Sequence, residues 1–471
     1  MVFASLVFLY VFLPLNLWAY YALRRADHRN LLLIAASLLF YAWGEPIWVV
    51  LLLISSALDY AHALIIERHR GRPWARAALI SSLVTNLGLL GAFKYSGLLA
   101  DALNASLGLS LAAPRFALPL GISFYTFQAL SYVVDVYRGE AGAQRSYLKF
   151  LLYLSLYPQL VAGPIVRYVH IARAIERRAH HLPDIAAGVD RLCAGLFKKV
   201  CVANVAGELV VRTMDVDPSA LSVAEGWFGL LMFSLQIYFD FSGYSDMAIG
   251  LGLLFGFRYH ENFNYPYIAR SAADFWRRWH ISLGSFFRDY LYIPLGGNRR
   301  WPLRNLLIVW ALTGLWHGAS LNFVLWGLYF GLLIALERLL LQRLLDALPA
   351  LFGHLYLLFV AVLGWAIFYF EDLERLSDYL ALLFGQSDSP RTSPALLLLV
   401  QEHAYWLALA LLLCAPIMPR LGAALRAWAG PSQRRSGLLT AARGLANLLL
   451  LLTATAMLVG RTYNPFIYFR F

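Results

Sequence analysis

The sequence predicts an all-α polytopic integral membrane protein, and three observations indicate this class. First, 60% of the 471 residues are apolar and only 14% are charged, whereas soluble domains carry about 25% charged residues. Second, long apolar runs recur along the whole chain. Third, short clusters of Lys and Arg separate these runs, a pattern typical of loops held on the cytoplasmic side of a membrane. We therefore expect much of the surface to face lipid.

A helix that spans a bilayer needs about 20 mostly apolar residues. By this criterion we expect about 11 to 13 membrane helices, including re-entrant segments that do not span completely. The candidate runs lie near residues 3–23, 30–44, 47–66, 77–93, 118–137, 148–166, 187–211, 225–256, 304–316, 318–342, 354–370, 396–419 and 437–460. Only loops separate these runs, so we expect a single transmembrane domain over residues 1–471.

The basic loops predict an orientation for the first spans. The chain opens at Phe3 with an apolar run that lacks the charged start and the cleavage site of a signal peptide, so we expect it to remain as a helix whose N-terminus is outside. The basic loops at 24–29, 68–76 and 138–149 then all lie inside.

The run 148–166 is expected to be re-entrant. A further basic loop follows it directly, so the run must enter and leave on the same side. Pro158, Gly163 and Pro164 interrupt it, and each of these residues disfavours a continuous helix. Interrupted backbone is tolerated at membrane depth only where protein or a water-filled cavity surrounds it. The sequence therefore predicts a polar cavity in the middle of the chain.

The stretch 257–303 is too polar to span and is rich in aromatic residues, which prefer the membrane interface. We expect short interfacial helices there, with Asp274 as the N-cap of the first.

The net charge of +12 does not indicate nucleic-acid binding, because the basic residues lie between apolar runs. Three cysteines without metal-site spacing (Cys193, Cys201 and Cys414) predict no disulfide framework and no zinc site.

Two histidines stand out, because an ionisable group among apolar residues is a functional candidate by default. His317 lies in a long apolar stretch between Gly314 and Gly318, which permit close approach of backbone or substrate. A neutral imidazole there can accept the proton of an attacking hydroxyl; the alternative is a structural core histidine. His280 follows Arg277 and Arg278, and these arginines either bind the phosphates of a coenzyme or belong to an interfacial belt.

A polar motif also lies inside the apolar run 225–256. Asp240 and Asp246 need partners at membrane depth, and we expect a structural ion pair with an arginine such as Arg277 or Arg288. Two further side chains of this motif are expected to line the cavity: Tyr238 and Ser242. Downstream, Asn298 and Arg299 end a glycine turn (PLGGNR), which by itself is a weak indication of phosphate binding.

These segments resemble the membrane-bound O-acyltransferase family, in its bacterial alginate O-acetylation branch. The resemblance covers nearly the whole chain, and its blocks are residues 120–125 (LGISFY), 162–164 (AGP), 238–246 (YFDFSGYSD), 275–283 (FWRRWHISL), 288–299 (RDYLYIPLGGNR), 314–318 (GLWHG) and 465–469 (PFIYF). Two positions depart from the alginate branch, which has histidine in place of Gln159 and arginine in place of Tyr369.

The resemblance implies a ring of tilted helices around a central tunnel, with His317 as the essential histidine and His280 as the second functional one. It implies transfer of an acyl group, with acetyl-coenzyme A as donor and a periplasmic esterase-like partner that passes the group to an envelope polysaccharide. The bacterial inner membrane is the expected location. We expect the donor to contact Arg277, Arg278, Asn298 and Arg299. The residues expected to line the tunnel are Tyr238, Asp240, Ser242, Asp246 and Trp316.

Three alternatives remain open at this point. The teichoic-acid D-alanylation proteins share this architecture and use a carrier-protein thioester, and the positive charge suits an acidic carrier. A transporter also has broken helices and buried ionisable groups, although the sequence has no evident inverted repeat. A scaffold that only recruits the esterase-like partner is the third.

Overall fold

The computed structural model describes residues 1–112, 118–460 and 466–467. In these residues all regular structure is helical. The helices up to the middle of the chain are α1 (Leu13–Ala22), α2 (Ala26–Ala42), α3 (Trp48–Arg68), α4 (Pro73–Lys94), α5 (Ser96–Leu107), α6 (Ile122–Arg138), α7 (Tyr147–Ser155), α8 (Tyr157–Leu160), α9 (Tyr168–Glu176), α10 (Leu182–Phe197), α11 (Asn204–Met214) and α12 (Val223–Leu254).

The helices that follow are α13 (Ala272–Arg278), α14 (Ile281–Phe287), α15 (Pro302–His317), α16 (Leu321–Leu336), α17 (Gln342–Ala347), α18 (Ala350–Tyr369), α19 (Leu373–Leu383), α20 (Pro394–Glu402), α21 (Ala404–Leu413), α22 (Ile417–Ala429) and α23 (Gln433–Gly460). Short π-helical segments lie at Phe8–Phe12, Lys198–Ala203, Arg288–Tyr292 and Glu337–Leu341. Two 3₁₀ turns lie at Pro218–Ala220 and Pro266–Ile268.

The all-α polytopic class is confirmed. In the part of the chain that the structure describes, five helices are long and apolar enough to cross a bilayer, and a bent pair adds a sixth if α20 and α21 form one span. The five are α3, α4, α16 continued through α17, α18 and α23. Each expected apolar run contains at least one helix. By length and composition, however, the five or six candidate spans are fewer than the 11 to 13 membrane helices expected, which included segments that do not span completely.

Helix α12 is the centre of the molecule. It begins with a capping box, in which Ser222 and Glu225 satisfy each other's backbone N–H groups. Its 32 residues extend about 48 Å, and nearly all of them from Phe228 onward are buried. Helices α10, α11, α18 and α19 pack around it. A Cβ atom on Gly243 would lie 2.8 Å from the carbonyl oxygen of Gly195, so the two glycines permit the close crossing of α12 and α10.

The predicted interruption of the run 148–166 is present. Helix α7 ends at Ser155, and Leu156 leaves the helical conformation with ψ 113° before the single turn of α8. Gly163 and Pro164 continue in non-helical backbone that is buried inside the protein. The re-entrant topology and the orientation of the loops stay predictions.

Short helices occupy 257–303 as expected, but the predicted N-cap is wrong. Ser271 caps α13, because its hydroxyl accepts a hydrogen bond from the backbone N–H of Asp274 at 3.1 Å. Asp274 is instead the third residue of the helix. The carboxylate of Glu337 accepts the N–H groups of Ala272 and Ala273 at 2.5 and 2.9 Å, which suits the positive end of a helix dipole.

Candidate active site

His280 and His317 line the same cavity. This cavity, called here the histidine cavity, has a volume of about 180 Å³ and lies between helices α13, α14 and α15. Its other walls are mainly apolar and aromatic: Trp276, Trp279, Leu283, Gly284, Phe287, Arg288, Tyr292, Leu306, Val309, Trp310 and Thr313. The two histidines lie 37 positions apart in the numbering (317 − 280), and the fold brings them to one cavity.

The end of α15 places His317. The helix ends at this residue because Gly318 is extended, with φ −162° and ψ 160°. A Cβ atom on Gly314 would overlap the backbone oxygen of Phe323, and one on Gly318 would overlap the ring of Phe323. Gly314 and Gly318 therefore permit the close approach of helix α16, which contains Phe323 and packs directly against these two glycines.

Aromatic rings surround the imidazole of His317. Ring centroids of Trp316, Trp326 and Phe368 lie 4.9, 5.0 and 5.3 Å from it, all in edge-to-face geometry. The Trp316 ring also lies 6.1 Å from the ring of His280. The ring of Trp316 therefore lies near both imidazoles, and its role in a substrate tunnel stays a prediction. The apolar rings limit water around His317, which strengthens any electrostatic interaction made there.

His280 is held by a hydrogen-bond network. It occupies a left-handed conformation, with φ 44° and ψ 54°, just before α14. Its Nδ1 lies 3.2 Å from the Oδ1 of Asn262, and the same oxygen accepts the backbone N–H and the hydroxyl of Ser282 at 3.2 and 2.9 Å. The Nδ2 of Asn262 donates to Ser245 at 3.1 Å, which leaves its Oδ1 as the acceptor for the ring.

The contact with the Oδ1 of Asn262 favours the tautomer of His280 that carries its proton on Nδ1. When the Nδ1 donates, a neutral imidazole presents a lone pair on Nε2. The Nε2 of His280 is buried and has no hydrogen-bond partner among the described residues. A buried polar atom without a partner in a cavity wall is suited to a ligand. His280 is therefore oriented to accept a proton or a hydrogen bond.

The carboxylates of the 238–246 motif form ion pairs, but the expected partners are wrong. The Oδ1 of Asp240 lies 2.8 Å from the Nζ of Lys199, and its Oδ2 accepts the backbone N–H of Ile467 at 2.7 Å. Asp246 pairs with Arg191 at 2.8 Å and with Lys198 at 2.7 Å. The expected arginines pair with their sequence neighbours instead: Arg277 with Asp274 at 3.9 Å, and Arg288 with Asp289 at 2.7 Å.

Other members of this motif lie behind the histidine cavity. Tyr238 is buried, and its ring lies 6.1 Å from that of Trp279. The buried hydroxyl of Ser242 has no hydrogen-bond partner among the described residues. The cavity wall, as the described residues form it, includes neither of them nor Asp240 and Asp246. The motif supports His280 through Ser245 and the Asn262 network instead.

The residues expected to contact the donor lie at the end of α13 and in the turn before α15, outside the lining of the histidine cavity. The Arg277 side chain is 72% exposed, and Arg278 donates to Asp274 at 3.0 Å. The Oδ1 of Asn298 accepts the hydroxyl of Tyr292, a cavity residue, at 2.8 Å. Arg299 is exposed. None of the four therefore lines the histidine cavity, and their contact with a donor stays a prediction.

A second cavity adjoins the first. It has a volume of about 450 Å³ and lies between α4, α6, α14 and α15. Phe287 lines both cavities, and Trp316 lines the second while its neighbour His317 lines the first. The sequence did not indicate this cavity, because its lining is almost entirely leucine and aromatic residues that are common in any membrane helix.

The sequence reasoning also missed Asn262. Its contacts join the 238–246 motif, the His280 turn and Ser282, but in the sequence it is one polar residue in a polar loop. Of the C-terminal block at 465–469, only Phe466 and Ile467 lie among the described residues. Residues 465, 468 and 469 lie outside them.

Comparison with known proteins gives consistent matches. The profile of the MBOAT, membrane-bound O-acyltransferase family, matches residues 138–376. A probable alginate O-acetylase AlgI from Azotobacter vinelandii is 42% identical over 400 residues, which cover 82% of this chain and 79% of the relative. A peptidoglycan O-acetyltransferase from Helicobacter pylori is 34% identical, covering 82% and 80%. A teichoic acid D-alanyltransferase from Bacillus subtilis is 25% identical, covering 46% and 58%.

Proposed function

Because the chain belongs to the membrane-bound O-acyltransferase family and is a multi-pass membrane O-acyltransferase, we propose that it moves an acetyl group from acetyl-coenzyme A to a cell-envelope or exopolysaccharide acceptor such as alginate. The observation that carries the proposal is the placement of His280 and His317 on one cavity. The alginate and peptidoglycan acetylating relatives support acetyl as the group and a polysaccharide as the acceptor.

In the proposed reaction His317 is the general base. It takes the proton of the acceptor hydroxyl as the hydroxyl oxygen bonds to the acetyl carbon. The carbon–sulfur bond of the thioester then breaks, and the leaving thiolate receives that proton from the imidazolium of His317, so that free thiol, an O-acetyl ester and neutral His317 result. The Nε2 of His280 accepts a hydrogen bond in the same cavity and orients the attacking group.

Basic residues of α13 and of the turn before α15 suit the donor. Arg277 and Arg299 are exposed and available to the phosphates of coenzyme A, and guanidinium groups bind phosphate in bidentate fashion. Arg278 is held by Asp274 within α13, and Asn298 accepts the hydroxyl of Tyr292 in the turn before α15. We place this side of the protein at the cytoplasm, where the donor is made.

The acceptor side involves a second protein. We propose that the chain lies in the bacterial inner membrane, and that a periplasmic esterase-like partner passes the acetyl group on to the polymer, as the resemblance to the alginate branch implies. We also propose one domain over residues 1–471. Its support is that Tyr244 of the central helix stacks with Phe3 at 4.6 Å and with Phe466 at 4.8 Å, so segments from both ends meet there.

A second candidate is D-alanyl transfer from a carrier-protein thioester. The match to teichoic acid D-alanyltransferases favours it, and the net charge of +12 suits docking of an acidic carrier. This match covers less than half of the chain at 25% identity, so we rank acetyl transfer first.

The test is transfer of radiolabelled acetyl groups from acetyl-coenzyme A in membranes that contain the protein, with and without envelope polymer and periplasmic extract. We expect label in polymer or partner for the wild type and for His62→Ala, a peripheral histidine that contacts Ser81. His317→Ala at equal expression should lose the label. Full labelling by His317→Ala would refute its role, and labelling only from a D-alanyl carrier thioester would favour the second candidate.

A further inference from the structure

The last turn of α15 obtains its hydrogen-bond partners from another helix. The final four carbonyl groups of an α-helix have no partner within the helix. Because Gly318 is extended beyond His317, the chain does not fold back to cap them. These carbonyls belong to the last turn of α15, which ends at His317. A group that binds them therefore also fixes the backbone from which the His317 side chain extends.

Two adjacent residues at the end of α4 bind three of these carbonyls. The hydroxyl of Tyr95 donates to the carbonyl of Leu315 at 2.8 Å. The Nζ of Lys94 donates to the carbonyl of Trp316 at 2.5 Å and to that of His317 at 3.0 Å. The partners are 220 to 223 positions apart in the chain, so this is a tertiary contact rather than a local cap.

The cap has both charge and geometry in its favour. The C-terminal end of a helix carries a partial negative charge, and a cation there is stabilising. The interaction is stronger away from bulk water. The Nζ of Lys94 also lies 5.9 Å from the ring centroid of Trp316, a distance at which a cation attracts an aromatic face. The same ammonium therefore holds the backbone and the ring next to His317.

We propose that Lys94 and Tyr95 are positioning residues for His317. The inference rests on the proposed function, in which His317 is the general base. Neither residue lines the histidine cavity, and both act through the carbonyls of the last turn of α15. Misplacing a catalytic group by about 1 Å costs about 10²-fold in rate, so loosening this turn lowers catalysis even though the substrates still bind.

Three substitutions separate positioning from simple packing. Lys94→Met keeps an unbranched apolar chain of four atoms but removes the ammonium group and its donors. Tyr95→Phe removes one hydroxyl only, and Lys94→Arg keeps a cationic donor. Controls of the same chemistry are Tyr41→Phe, whose hydroxyl donates to the carbonyl of Leu120 at 2.9 Å away from α15, and Lys149→Met, which breaks a pair with Glu176 on the surface.

The measurement is the rate of acetyl transfer as a function of donor concentration, on protein that is monodisperse in detergent. We expect Lys94→Met to lower kcat about 10- to 100-fold and Tyr95→Phe about 3- to 10-fold, the range of one hydrogen bond. KM for the donor should change less than twofold, and Lys94→Arg should recover most of the rate. Both controls should keep wild-type kcat.

The outcomes are distinguishable. If His317→Ala is inactive while Lys94→Met and Tyr95→Phe match their controls, the positioning role is wrong and the proposed function stands. If His317→Ala is fully active, the proposed function itself fails. If Lys94→Met does not fold, Tyr95→Phe decides, and an unchanged kcat in that variant overturns the inference.

Discussion

The Nδ1 of His280 lies 3.2 Å from the Oδ1 of Asn262, and this contact engages one of the two ring nitrogens of a histidine that lines the cavity. The side chain of Asn262 also donates to Ser245 of the central helix and accepts the hydroxyl of Ser282 in α14. One amide thus connects the 238–246 motif to His280 in the wall of the histidine cavity.

Asn262→Ala should lower acetyl transfer about 10- to 100-fold, the usual effect of losing the residue that orients a functional histidine. Without the acceptor on Nδ1, the ring of His280 is free to adopt the other tautomer and to rotate. The assay is initial rate at equal protein level, and Asn104→Ala, in an exposed part of the chain, is the control. Wild-type rates for Asn262→Ala would show that this hydrogen bond does not matter for turnover.

Arg277→Ala and Arg299→Ala should raise the KM for acetyl-coenzyme A about 3- to 10-fold each and leave kcat unchanged, the signature of lost uniform binding. The effect should weaken at high salt, because exposed charges are screened. Acetyl-dephospho-coenzyme A lacks one phosphate. If an arginine binds that phosphate, the KM values of its alanine variant and of the wild type should differ less with this donor than with acetyl-coenzyme A. Arg434→Ala, in the exposed first turn of α23, should behave as wild type; a fall in kcat alone would contradict the binding role.

Gly314→Ala should destabilise the protein by about 1–3 kcal/mol or more, as overpacking does. The new methyl group would meet the backbone oxygen of Phe323, which cannot rotate away. Thermal unfolding in detergent measures the change as a lower Tm. Gly444→Ala is the matched control, since no atom lies within 4 Å of the added Cβ there, and helix propensity favours Ala. Equal Tm values for both variants would rule out the close packing of α15 on α16.

Lys199→Met should cost about 3–5 kcal/mol of stability, because it leaves the buried carboxylate of Asp240 without its cation. Adding Asp240→Asn should restore much of that loss, since no unpaired charge then remains. Breaking the exposed pair of Lys149 and Glu176 should cost only about 0–1 kcal/mol. If the double variant is no more stable than Lys199→Met, the carboxylate is not the source of the cost.

The sequence predicts the apolar helices and the polar blocks of this fold, because both depend on local composition. Helices such as α9 (Tyr168–Glu176) and α19 (Leu373–Leu383) were missed. Both are short and have one buried and one polar face, so a search for about 20 apolar residues does not detect them. The N-cap at Ser271 was missed because Asp274 is an equally good capping residue by type.

The two histidines were also accessible from the sequence, since ionisable groups in apolar surroundings are rare. The residues that contact the histidines or their backbone and hold them in place could not be recognised in the sequence. Asn262, Lys94 and Tyr95 act through contacts made across long stretches of chain, and nothing in their neighbouring residues marks them. The ion-pair partners of Asp240 and Asp246 were predicted wrongly for the same reason, because the choice among several cations depends on helix packing rather than on spacing.

The bond from the backbone N–H of Ile467 to Asp240 joins residues 227 positions apart, and this has a consequence for biosynthesis. A membrane protein is inserted from its N-terminus while the ribosome is still translating. The central helix therefore enters the bilayer with one oxygen of Asp240 unbound, and that oxygen gains its last donor only after translation has passed residue 467. The hydrogen bonding around Asp240 is therefore completed late in synthesis. A ribosome that stalls shortly before residue 467 would leave a nascent chain that lacks this hydrogen bond in its core.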